Sequence, residues 1–215
     1  MRPDSETPPQ SFLGTARREQ ITRAAIEVLA SEGYAATSLS AIAIRIGVSK
    51  GNLSYHFASK AELLRAVVNY VLESAAAWMT PRIAGATSYR EALHTYISAN
   101  LSYLAAHRTD ILALTEILAN ARATPGVPDI FAASQEDAIR NLSGLFEAGQ
   151  HAGEFGNVPA TMLAISLRAT IDSTSQGMRA DPEFDLVAFE RDLTSLFDRA
   201  TARPRDETNE KGEPS

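Results

Sequence analysis

Residues 47–60 read GVSKGNLSYHFASK: a glycine corner, a polar and aromatic stretch of barely two helical turns, and a second helix start. A helix this short does not hold itself together in water, where nucleation is costly and isolated helices below about 12 residues scarcely form. Neighbours must hold it. Gly47 can take positive φ and end one helix, Val48 can bury in the corner, and Ser49 can cap the next helix, which makes a helix-turn-helix. On that next helix Leu53 and Phe57 are i, i+4 partners that face inward, toward Ile42, Ile46, Ala24 and Val28. The opposite face is then Lys50, Asn52, Tyr55 and His56. Such side chains suit base edges and phosphates, and the first turn of such a helix is what enters a major groove. Gly51 leaves room for backbone to approach a phosphate.

The flanks are equally legible. Ser59-Lys60-Ala61-Glu62 is a capping box that starts a long helix. Lys60 in that first turn opposes the helix dipole unless a phosphate sits there, so it reads as a phosphate clamp. Ordinary alternatives stand beside each reading. Lys60 is also placed to be a solvated lysine, Tyr55 and His56 to pack on a neighbouring helix, and a three-helix corner can be purely structural.

Working outward, Ile21, Ala24, Ala25, Val28 and Leu29 follow the spacing of an amphipathic helix that Gly33 closes. A short helix runs over 39–46, with Ser38 as N-cap. The long helix covers 60–79 and Pro81 ends it. Further helices are expected over 89–106, 109–121, 129–152, 159–180 and 186–200, with breakers at Gly85, Thr124-Pro125-Gly126, Gly153, Gly156 and Asp181-Pro182. No segment alternates as a strand does. The fold class is all-α: an N-terminal helix-turn-helix domain over 13–60 and, joined to it by the long helix, a larger helical domain over 61–201. The polar ends, 1–12 and 202–215, are expected to be disordered.

The 215 residues, 45% of them hydrophobic, suffice for a sizeable core. The chain has no cysteine, which excludes disulfides and thiolate chemistry, and its four histidines are isolated along the sequence, so neither metal nor cofactor is expected. No apolar run is long enough to span a bilayer and the start lacks the apolar core of a secretion signal, which points to the cytoplasm and away from membranes. The net charge of −6 is unevenly spread. Through Lys60 there are seven basic and five acidic residues, so the remainder carries −8. Only the N-terminal end is suited to meet phosphate.

Thr37-Ser38-Leu39, Ile42-Ala43, Gly47-Val48-Ser49-Lys50-Gly51, His56-Phe57 and Ser59-Lys60-Ala61-Glu62-Leu63-Leu64 together resemble the DNA-binding signature of the tetracycline-repressor (TetR) family. The likeness covers about residues 17–64, and Ala152-Gly153-Glu154-Phe155 is similar to a phrase common before the family's penultimate helix. It implies a homodimeric transcriptional regulator, usually a repressor, that leaves double-stranded operator DNA when a small-molecule effector occupies a C-terminal ligand-binding and dimerisation domain. Carried over to this chain, Lys50, Gly51 and Asn52 would reach bases and His56 and Lys60 phosphates, with Ser38, Ser49 and Tyr55 completing the DNA-binding set. Two positions depart from the pattern. Ser54 stands where the family often has tyrosine, with Tyr55 one residue later, and Ala41 replaces an acidic partner of Ser38.

Two-fold symmetry doubles the length of DNA a single recognition helix can read. The resemblance puts the dimer interface on the last two helices, where apolar stripes offer Leu163 and Leu167, flanked by Met162 and Ile165, and Phe189, Leu193, Leu196 and Phe197. The same residues could equally pack within one chain. Candidate ligand-binding groups are polar or aromatic side chains on otherwise apolar helices: Trp78, Tyr96, Asn100, Tyr103, Glu116, Asn120 and the i, i+4 pair Arg168 and Asp172. Enzymatic function is not expected, since no phosphate-binding glycine loop or nucleophile–base arrangement can be argued. A helical protein-binding module, its helix-turn-helix only structural, is the rival reading.

Overall fold

The computed structural model describes residues 10–181 and 183–203; the tails expected to be disordered lie largely outside them. The described residues form nine α-helices, a single 3-10 turn and no strand. In order these are α1 (Gln10–Ala36), α2 (Leu39–Arg45), α3 (Lys50–His56), α4 (Lys60–Ala84), α5 (Tyr89–Ala106), α6 (Arg108–Ala119), the 3-10 turn (Ala121–Ala123), α7 (Val127–His151), α8 (Ala160–Ala180) and α9 (Leu186–Ala200). The all-α reading holds. Among the described residues no helix is long and apolar enough to cross a membrane.

The chain forms two compact units, one running through Ala76 together with Ala106–Ser134, the other comprising Ala77–Ala105 and the chain from Gln135 onward. A boundary near Lys60 therefore differs from the observed division. The reason is packing: Leu63, Leu64, Val67, Val68 and Val71 are all buried, so the first half of α4 is part of the N-terminal core, and α6 packs along α1. That core also takes Ile21, Ala25, Leu29, Ile42, Leu53 and Phe57, the residues whose spacing marked the inner faces.

Gly33 has φ of 82° and breaks the regular helix in α1, although the helical path resumes to Ala36. Pro81 does not end α4, which continues to Ala84. Proline in a helix interior removes one hydrogen bond, and here the Arg82 guanidinium donates to the Trp78 carbonyl at 2.5 Å and lies 3.9 Å from the Trp78 ring centroid, bracing the turn around Pro81.

In the second unit Phe146 stacks on Phe197 and tilts against Phe155, with centroids 6.4 and 5.9 Å apart. Glycine is required at 149, since a Cβ there would lie 2.2 Å from the Phe155 ring. The neighbouring Glu154 carboxylate accepts from Tyr89 N (3.2 Å) and Arg90 N (2.9 Å), satisfying free donors at the start of α5. The Ala152–Phe155 phrase thus closes a helix end and a core at once.

Candidate functional site

α3 is only seven residues long, and its surroundings fix it at both ends. The Ser49 hydroxyl accepts from Asn52 N at 3.1 Å, and Ser38 does the same for α2 through Ala41 N at 3.1 Å. Gly47, with φ of 68°, makes the corner between them. Leu53 and Phe57 are fully buried beneath the helix. Burial of two such side chains contributes several kcal/mol, far more than a two-turn helix gains from its own hydrogen bonds.

Capping at the start of α4 follows the expected box with one shift. Ser59 Oγ accepts from Glu62 N at 3.1 Å, while Glu62 reaches back past Ser59 to Ala58 N at 2.9 Å. That backbone bond, with help from Arg18, holds the Glu62 carboxyl below the usual glutamate range.

Arg18 escaped the sequence reading. Its guanidinium donates to the His56 carbonyl at the end of α3, pairs with Glu62 at 3.2 Å and lies 4.1 Å from the Phe57 ring centroid. One side chain of α1 thereby ties the end of α3 to the beginning of α4. Its partners are 38 and 44 residues away, so no local spacing could have revealed it.

The outer face of α3 is open. Lys50, Gly51, Asn52, Ser54 and Tyr55 are exposed, Tyr55 to 86%, and His56 is half-buried, its ring edge-on to Tyr55 at 5.2 Å. Tyr55 therefore does not pack on a neighbouring helix. Ser38 and Ser49 are exposed but their hydroxyls are engaged as caps.

Lys60 differs from the simple clamp. Its ammonium donates to the Tyr34 carbonyl at 2.6 Å and lies 3.9 Å from the Tyr34 ring centroid, and burial lowers its pKa. Tyr34 is itself fastened: its backbone N–H reaches Glu116 at 3.3 Å and its hydroxyl pairs with Thr124 at 2.8 Å.

The eight ligand candidates separate. Glu116 and Asn120 belong to the N-terminal unit, where Glu116 holds the Gly33 break and Asn120 donates to the Glu116 carbonyl at 2.9 Å. The second unit brings the other six into two groups. Trp78 and Tyr103 meet edge to face at 6.1 Å. Arg168 donates to Asp172, to Gln135 Oε1 (2.9 Å) and to Asn100 Oδ1 (3.3 Å), and Gln135 Nε2 donates to Asp172 Oδ2 at 2.8 Å. Burial pulls the Arg168 pKa down, but Tyr96 and Asp172 outweigh it and hold it above the ordinary arginine value. Gln135 was not among the sequence candidates, since a glutamine on a polar helix face carries no signal.

Of the interface candidates, Leu163, Leu167, Leu193 and Phe197 are buried within the chain and Phe189 is half-buried. Phe197 is held inside by its stacking on Phe146. Leu196 remains 50% exposed, as do Met162 at 60% and Ile165 at 44%. Among the described residues no cluster of three or more histidine, aspartate or glutamate side chains is arranged to hold a metal.

Residues 21–67 match the family model for bacterial regulatory proteins of the tetR family. The chain is 34% identical over 88 residues to the HTH-type transcriptional activator FasR of Mycolicibacterium smegmatis, a match covering 41% of this chain and 40% of that relative's length. It is 27% identical over 182 residues to the fatty acid metabolism regulator protein of Bacillus subtilis, covering 83% and 92% of the two chains. Among solved structures, a TetR transcription regulator from Haloarcula marismortui superposes with a TM-score of 0.78 at 22% identity, over 87% of this chain and 98% of that one.

Proposed function

The chain belongs to the tetR family of bacterial regulatory proteins, DNA-binding regulators of transcription, and from that premise we propose that it binds a two-fold symmetric operator as a homodimer and leaves it when a small molecule occupies its acidic body. The observation that carries the proposal is the outer face of α3. Lys50, Gly51, Asn52 and Tyr55 stand exposed on a helix whose caps and buried Leu53 and Phe57 fix its position. Asn52 is the residue suited to bidentate reading of a base, Lys50 and His56 to phosphate or base edges, and Tyr55 to the backbone contact that Ser54 is too short to make. Lys60 keeps two ammonium donors beyond the one given to Tyr34 and sits at the N-terminus of α4, where a phosphate is favoured.

Dimerisation falls to the apolar residues left exposed, Met162 and Ile165 on α8 and Leu196 on α9. Repression by occupancy is the default sign; the likeness to an activator covers 41% of this chain, so it bears on DNA reading more than on sign. The proposal places the protein in the cytoplasm, with its DNA. The test is competition: the purified protein should prefer its palindrome over random duplex by roughly 10³ or more, with two protomers per duplex. Equal affinity for random DNA would refute it and favour the protein-binding reading.

A further inference from the structure

The first two turns of α4 are gripped by the chain that follows α6. The Arg65 guanidinium donates to the Pro125 carbonyl at 2.9 Å, and a Cβ at Gly126, whose φ is 83°, would lie 2.9 Å from Arg65 Cδ. Lys60 is reached through Tyr34. The Tyr34 hydroxyl shares a hydrogen bond of 2.8 Å with the hydroxyl of buried Thr124, and the Tyr34 N–H donates to the Glu116 carboxylate at 3.3 Å. The Lys60 ammonium then meets Tyr34 twice, at its carbonyl (2.6 Å) and over its ring (3.9 Å from the centroid). All of these residues belong to the N-terminal unit.

We propose that Tyr34 is a positioning residue for DNA binding: held by Glu116 and Thr124, its ring and carbonyl fix the Lys60 ammonium at the place from which it meets a backbone phosphate. The lysine stem is the reason for such a device. A free lysine loses rotamer freedom when it docks on an anion, whereas one lodged against a ring face and a carbonyl has lost it on folding. Tyr34 takes one flank and one N–H, which leaves two donors for the phosphate. Burial lowers the Lys60 pKa, the mark of an ammonium short of water, and such a group gains more from an anion than a hydrated one does.

This rests on the reading of Lys60 as a phosphate contact, and a mutant cycle separates the two. Full-length protein is titrated with a short random-sequence duplex over a range of salt, below the melting transition of each variant. Tyr34→Leu, which removes the ring and keeps the carbonyl, should weaken binding about fivefold and lower the salt slope toward that of Lys60→Met. In the Lys60→Met background the same change should alter affinity by less than about twofold. A fivefold loss in both backgrounds would make Tyr34 merely structural and overturn this inference alone; tighter binding by Tyr34→Leu would mean that Tyr34 sequesters the lysine, and would overturn it too. A salt slope unchanged in Lys60→Met would remove the phosphate reading and this inference together. A second measurement needs no folded Tyr34 variant. The lysines are Lys50, Lys60 and Lys211, so 13Cε labels report each one in the wild-type protein, with Lys60→Met assigning the signal. The Lys60 signal should be moved upfield by the Tyr34 ring and stay there when the duplex binds. Its return to the position of a solvated lysine on binding would mean that Lys60 leaves Tyr34 to reach DNA, which contradicts the proposal.

Discussion

Lys60 has three N–H donors and spends one on Tyr34. It is therefore a strut between the end of α1 and the start of α4, with capacity left for a phosphate. Lys60→Met should lower the melting temperature and reduce the slope of log affinity against log salt by about one per half-site. An unchanged slope would confine Lys60 to the strut. Asn52 acts differently. Asn52→Ala should cost about 1–3 kcal/mol at one base pair per half-site while leaving other positions as they were, and a mismatch series with unchanged preferences would remove Asn52 from base reading. At this scale the sequence exposed the face of α3, because an i, i+4 apolar pair dictates which residues are left outside. It hid Arg18 and the Tyr34–Glu116 bond, whose partners are distant in the chain.

Helices α2, α3 and α4 each start on a side chain that the sequence announces. Ser38, Ser49 and Ser59 all accept from the backbone N–H three residues on, at 3.1 Å. Because α3 is so short, its cap matters more than most: Ser49→Ala should destabilise the unit by about 1 kcal/mol and weaken operator binding without changing which bases are preferred, as measured by denaturant unfolding beside a base-preference profile. Glu62 gives α4 a pH dependence. Its folded pKa lies below the unfolded value because Ala58 N–H and Arg18 favour the carboxylate. The stabilisation is complete above the ordinary glutamate range and is lost as pH falls through the lowered folded value. Glu62→Gln should flatten that acid limb in a series of melts across pH. Element ends marked by caps were legible, the start of α4 among them; the end of α4 was not, because the helix runs on through Pro81 to Ala84.

For the molecule as a whole, the asymmetry of charge and the all-α pattern were readable from composition and periodicity alone. The division into units was not, since α4, α5 and α7 each contribute to both. Nor was the interface, because an amphipathic stripe is the same whether it faces its own chain or another. Burial separates the stripe: Leu193 and Phe197 are internal, while Leu196, between them in sequence order, is exposed and is the residue we propose faces a partner copy. Leu196→Glu combined with Ile165→Glu should therefore yield a folded monomer by light scattering and abolish tight operator binding, whereas a persisting dimer would place the interface elsewhere.

The central claim, that α3 reads DNA in a two-fold assembly, is tested most directly by selecting bound duplexes from a random library with the purified, effector-free protein and sequencing them. A two-fold symmetric consensus, its half-sites one helical turn or more apart, is the predicted result. Recovery of no sequence above background would contradict it and leave the helix-turn-helix a structural corner.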